Sequence, residues 1–192
     1  MTNETALIRQ FVPSAIDWKN LTLVLFGSAI IAIAAQVSVP MFPVPMTLQT
    51  LAISVVGLTF GARLAGLTLL AYLAEGALGL PVFANGGAGL LWLVGPTSGF
   101  LWGFVGMAFL TGWVFENGFS HGIIRPFIAA SVPAALLYFP GMLGLWALTP
   151  LNLSGAFNAG VVPFLVGDLV KSVLAALVVA GVWTTMKHSQ RK

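Results

Sequence analysis

The sequence predicts an all-α integral membrane protein with six transmembrane helices and both termini in the cytoplasm. Three observations predict it. The 192 residues are 58% hydrophobic and only 7% charged, against about 25% charged in a soluble domain. The apolar residues run on for about 20 residues at a time, enough to cross a bilayer as a helix, whereas a membrane barrel alternates in segments of about 10. The basic residues are also segregated. Arg9, Lys19, Arg63, Arg125, Lys187, Arg191 and Lys192 lie in the two terminal segments and two of the connections, and the other three connections hold none. The positive-inside rule puts the charged set in the cytoplasm and the three uncharged loops outside. Six crossings return the chain to its starting side, so count and charge agree, and residues 1–192 read as one membrane domain.

Taken in order, residues 1–20 form a polar cytoplasmic head. Its Leu7, Ile8, Phe11 and Val12 fall at the spacing of a short surface helix, and Trp18 stands at the bilayer interface. Span 1 runs from Leu21 to Val39. Its Ser28-x-x-x-Ala32 face is made of small residues, suited either to close packing within the chain or to docking on a membrane partner. A Pro-rich loop, Pro40–Pro45, leads to span 2, Met46–Phe60, which opens on the polar cluster Thr47, Gln49 and Thr50. Gln49 on an otherwise apolar helix is a candidate for lining a pocket, and Gly57-x-x-x-Gly61 reads as helix packing. A short turn at Arg63 starts span 3, Leu64–Leu80, with Tyr72 and Glu75.

The connection Pro81–Thr97 is uncharged and glycine-rich. It carries Phe83, Asn85 and Trp92 and reads as a lid or a re-entrant segment, since irregular backbone at membrane depth must be covered by protein or face a cavity. Span 4 is Ser98–Phe115. A polar loop, Glu116–Arg125, precedes span 5, Pro126–Leu148, in which Pro133 and Pro140 are expected to introduce kinks. Thr149–Gly160 reads as a third uncharged loop. Span 6, Val161–Trp183, is followed by the basic cytoplasmic tail 187–192.

Span 6 carries the most informative residues. Asp168 and Lys171 are three apart and share one helix face. An ionisable side chain at the centre of a lipid-facing helix costs roughly 2.5–3.5 kcal/mol on insertion scales, so such residues turn inward and often mark a substrate pathway. At 1.5 Å per residue they lie about 10 and 15 Å below the outer end of span 6, and Glu75 lies about 8 Å below the outer end of span 3. The intramembrane charges therefore gather in the outer half, beneath the uncharged loops, as in a shallow pocket open to the outside. Two bland readings stand beside this one. Asp168 and Lys171 can neutralise each other as a salt bridge, and Glu75 can reach headgroups or form a structural ion pair instead of touching a ligand.

Several functions are excluded. The chain has no cysteine, hence no disulfide or thiolate ligand. It shows no metal-ligand cluster, no nucleotide motif and no paired catalytic carboxylates, so neither a metal site nor an enzyme is expected. The net charge of +3 reflects topology and implies contact with lipid, not nucleic acid. An autonomous small-solute secondary transporter stays an alternative beside these exclusions, although the polar route it would call for through the inner half is not found.

Four stretches, in order, resemble one family: P-V-P-M-T-L-Q-T-L (Pro43–Leu51), G-L-P-V-F-A (Gly79–Ala84), G-P-T-S-G-F (Gly95–Phe100) and G-D-L-V-K (Gly167–Lys171). They resemble the BioY family, the biotin-specific substrate-binding subunits, or S components, of energy-coupling-factor transporters. The resemblance implies an S-component-like fold in the bacterial cytoplasmic (inner) membrane. It also implies an outward-facing biotin site and partners in a transmembrane coupling protein and two ABC-type ATPases. It implies substrate contacts through Asp168 and Lys171, with Gln49, Asn85 and Glu75 as further polar candidates and Tyr72, Phe83 and Trp92 as walls. Biotin is the substrate and no cofactor is implied. Ser28 and Ala32 match the family's docking pattern, in which Ser28 replaces an alanine, and Val166 stands where a proline is expected. An S component for another vitamin is the nearest rival.

Overall fold

The computed structural model describes residues 18–117 and 122–189, with side chains described as far as Gly181. The surface helix expected near Leu7–Val12, His121 and the side chains of the basic tail lie outside the described residues. The elements are α1 (Trp18–Gln36), a short antiparallel pair β1 (Ser38–Val39) and β2 (Met46–Thr47), α2 (Gln49–Ala77), α3 (Ser98–Asn117), α4 (Ile124–Leu148), α5 (Leu153–Gly160) and α6 (Leu165–Ser189). Single 3-10 turns occupy Ala84–Gly86, Leu90–Leu93 and Val162–Phe164. Among the described residues, five segments are long and apolar enough to cross a membrane: α1, α2, α3, α4 and the run Leu153–Gly181.

The buried residues of α1, Val24, Gly27, Ser28, Ile31 and Ala35, recur at helical spacing and form one inward stripe. Its other faces remain apolar (Leu23, Phe26 and Ile33 are exposed), as a helix facing lipid requires. The stripe packs on α2. A Cβ at Gly27 would stand 2.8 Å from both Phe60 and Thr68, so only a residue this small allows the approach.

The long helix α2 is two arms. A straight helix would separate Gln49 from Tyr72 by about 35 Å, yet their side chains are hydrogen-bonded at 2.8 Å. The reversal is at Gly61, whose φ of 78° and ψ of 170° lie outside the helical range, in a region essentially reserved for glycine. Glu116 Oε1 accepts the Ala62 N–H at 3.0 Å and caps the second arm. Gly57, by contrast, is a packing glycine set against Thr111. The Gly57-x-x-x-Gly61 pair thus splits into two roles, and the turn expected at Arg63 falls two residues earlier.

The helices α3 and α4 cross backbone to backbone at Gly99 and Gly144. Pro133 and Pro140 lie inside α4. The expected loop Thr149–Gly160 is instead largely the helix α5, capped by Asn152 Oδ1, which accepts the Gly155 N–H at 2.8 Å. An asparagine at an N-cap starts a helix as readily as it marks a turn, so composition alone misleads here. The 3-10 turn Val162–Phe164 then delays α6 to Leu165, which places Asp168 in its first turn.

The main core gathers Ile31, Ile53, Leu69, Tyr72, Phe83, Phe100, Met107 and Leu145, while Leu58, Ala129, Ala130, Ala175 and Val179 form a second cluster.

Candidate functional site

A cavity of about 620 Å³ of empty space, including its open mouth, lies between α2, α3, α4 and α6 beneath the Pro81–Thr97 connection. Its polar end is made by Thr50, Tyr138, Asp168 and Lys171, and its walls include Phe83, Trp92, Phe100, Phe104, Leu137 and Phe164.

Asp168 is the hub. Its Oδ1 accepts from Thr50 Oγ1 at 2.7 Å and from Lys171 Nζ at 3.0 Å, and its Oδ2 accepts from the Tyr138 hydroxyl at 2.9 Å. Lys171 Nζ also donates to Thr50 Oγ1 at 3.1 Å. Asp168 is 6% exposed and Lys171 8%. Asp168 stands in the first turn of α6, where the positive end of the helix dipole favours a carboxylate. A buried ion pair is tolerated when added hydrogen bonds satisfy its remaining lone pairs and protons, and Thr50 and Tyr138 supply them.

The inventory of these groups defines what the site can bind. A carboxylate offers about four lone-pair positions and an ammonium three N–H donors. Three acceptor positions on Asp168 and two donors on Lys171 are taken. By this count one acceptor on Asp168 and one donor on Lys171 remain, and both residues line the aromatic cavity. That arrangement matches a ligand with an adjacent N–H and carbonyl on a compact ring, attached to an apolar body.

The other candidate residues divide. Phe83, Trp92 and Gln49 line the cavity. Gln49 is engaged at both ends of its amide: Oε1 accepts from Thr47 Oγ1 at 2.9 Å, and Nε2 donates to the Tyr72 hydroxyl. Tyr72 is not among the lining residues. It is 0% exposed, stands edge-on to Phe83 at 5.5 Å between ring centroids, and donates to Val82 O at 2.9 Å. Asn85 is exposed on the connection, and its Oδ1 accepts from Ser38 Oγ at 2.8 Å. Glu75 is also outside the cavity lining, where its carboxylate accepts from Ser28 Oγ at 2.7 Å. Ser28 is 1% exposed, and Ala32 is half-buried against the core. Thr50 and Tyr138 complete the polar end. Tyr138 had a faint signal, as one of two tyrosines in the whole chain, set in an apolar span two residues before Pro140.

Comparison with known proteins bears on the same geometry. A profile described as "BioY family" matches residues 5–188. Biotin transporter BioY2 of Lactococcus lactis subsp. cremoris is 34% identical over 172 residues, covering 90% of this chain and 94% of that protein. Biotin transporter BioY of Rhodobacter capsulatus is 37% identical over 176 residues, 83% of this chain and 90% of that one. The 2.1 Å crystal structure of the S-component for biotin from an ECF-type ABC transporter superposes with a TM-score of 0.78 at 24% identity, over 96% of this chain and 95% of that one. At that identity the superposition establishes the shared fold.

Proposed function

The chain belongs to the BioY family, and on that footing we propose that it captures biotin at the outer face of the bacterial cytoplasmic membrane. It does so as the substrate-binding component of an energy-coupling-factor ABC transporter. The observation that carries the reading is that Asp168 keeps a spare acceptor and Lys171 a spare donor where both line an aromatic cavity. The ureido ring of biotin presents N–H and carbonyl groups side by side. Asp168 takes a ureido N–H and Lys171 donates to the carbonyl, while Phe83, Trp92 and Phe100 enclose the apolar ring.

The topology belongs to the same proposal. With the two arms of α2 counted separately, the chain crosses the membrane six times, both termini are cytoplasmic and the cavity opens outward. The segregation of basic residues supports this orientation. This chain performs no chemistry. ATP is hydrolysed by two partner ATPases, joined to it through a transmembrane coupling protein.

The partner claim is tested by uptake of labelled biotin into cells that lack their own transporter. Cells expressing this chain with a coupling protein and ATPases are expected to accumulate biotin. An ATPase variant unable to hydrolyse ATP should reduce accumulation to background. Equal accumulation with the inactive ATPases would reject the coupled mechanism.

A further inference from the structure

We infer that Gln36 is a positioning residue that holds the wall-forming segment Phe83–Gly86 over the cavity. Gln36 ends α1 and is exposed, and it does not line the cavity. Its amide is nonetheless spent on the connection. Nε2 donates to Phe83 O at 3.1 Å and to Ala32 O at 3.1 Å, while Oε1 accepts the Gly86 N–H at 2.9 Å. The orientation of the amide is fixed by these partners, since the reverse would set its oxygen against two carbonyls. One side chain therefore grips both ends of the turn whose Phe83 and Ala84 line the cavity.

The turn requires such a grip. Asn85 and Gly86 have positive φ values of 56° and 72°, and a non-glycine residue in that region persists only where its surroundings over-determine it. Within the turn, the backbone bonds are Phe83 N to Gly87 O at 3.0 Å and Gly87 N to Ala84 O at 3.1 Å. Neither anchors it to the bundle. Anchorage comes from the flanks, where Tyr72 holds Val82 O at 2.9 Å and Gly76 O accepts from Gly89 N at 2.7 Å, and from α1, through Gln36 and the Ser38–Asn85 bond. Phe83 and Ala84 wall the cavity, so losing the Gln36 grip loosens that wall and accelerates escape more than entry.

The consequence for dissociation rests on the biotin reading; the grip itself does not. The test uses the full chain in detergent with two substitutions, Gln36→Ala and Gln36→Glu, the second keeping length and helix propensity. Amide hydrogen exchange is followed without ligand, and biotin association and dissociation are measured separately. Exchange across 83–89 is expected to accelerate roughly tenfold, as for the loss of two ordinary hydrogen bonds, with the amides of Ala52–Leu58 unchanged. Biotin dissociation should accelerate by a similar factor with association within about twofold. Unchanged exchange across 83–89 in both variants overturns the inference. So does equal acceleration in Ala52–Leu58, which would mean a general loss of stability. Faster local exchange with unaltered dissociation overturns the link to ligand retention. If the unsubstituted protein binds no biotin, the proposed function fails, and the grip is judged on exchange alone.

Discussion

At the scale of single residues, Asp168 and Lys171 cannot be separated energetically, because each is what makes the other's burial tolerable. Removing one partner of a buried pair strands a charge and costs about 3–5 kcal/mol, whereas replacing both with apolar residues is often neutral or stabilising. The account therefore separates stability from binding. In thermal unfolding, Lys171→Met should be clearly destabilised and Asp168→Leu with Lys171→Met should recover most of the loss, while neither binds biotin. A double variant as unstable as the single one would mean that the bonds from Thr50 and Tyr138, and not the ion pair, hold this end of the cavity.

The ion pair was readable because three-residue spacing on a helix guarantees a shared face. Depth alone left the role of Glu75 open. It places a carboxylate in the membrane without naming the neighbour, and the neighbour is Ser28 on another helix. Tyr72 likewise shows how an aromatic can sit directly behind a wall and act through the residues in front of it.

At the scale of elements, the spans and the turn near Arg63 were legible from apolar run length and charge, but the residue at which α2 reverses was not. The reversal of α2 depends on the φ of Gly61 and on Glu116, a residue far along the sequence that caps the second arm. Neither leaves a local signature beyond a glycine that packing would equally explain. Gly61→Ala should destabilise the protein by at least about 2 kcal/mol, since the conformation is costly for any other residue and the added Cβ runs into the Glu116 carboxylate. Glu116→Gln keeps an acceptor for the Ala62 N–H and should be much milder in thermal unfolding. Equal stability of Gly61→Ala and the unsubstituted protein would contradict the reversal. The late start of α6 matters for the same reason. It brings Asp168 to a helix N-terminus, which makes that end of the cavity anion-tolerant in a way that span length alone does not convey.

At the scale of the whole molecule, polarity is distributed unevenly along the bundle axis. The cavity, the ion pair and the Pro81–Thr97 connection share one end, while Leu58, Ala129, Ala130, Ala175 and Val179 form a separate apolar cluster. The broad asymmetry was visible in the sequence, where intramembrane charges and uncharged loops already shared the proposed outer half. What the sequence did not show was the three-dimensional closure, because the residues that tie the connection down, Gln36 and Tyr72, lie on other elements.

Calorimetric titration of biotin into the purified chain in detergent, with no partner present, tests the central claim most directly when run beside Asp168→Asn. The account predicts saturable binding with a stoichiometry near one. It also predicts at least about a tenfold loss of affinity in the variant, the worth of a hydrogen bond to a charged group, with the thermal transition still cooperative. Absence of binding to the folded, unsubstituted protein, or full affinity in Asp168→Asn, would contradict it.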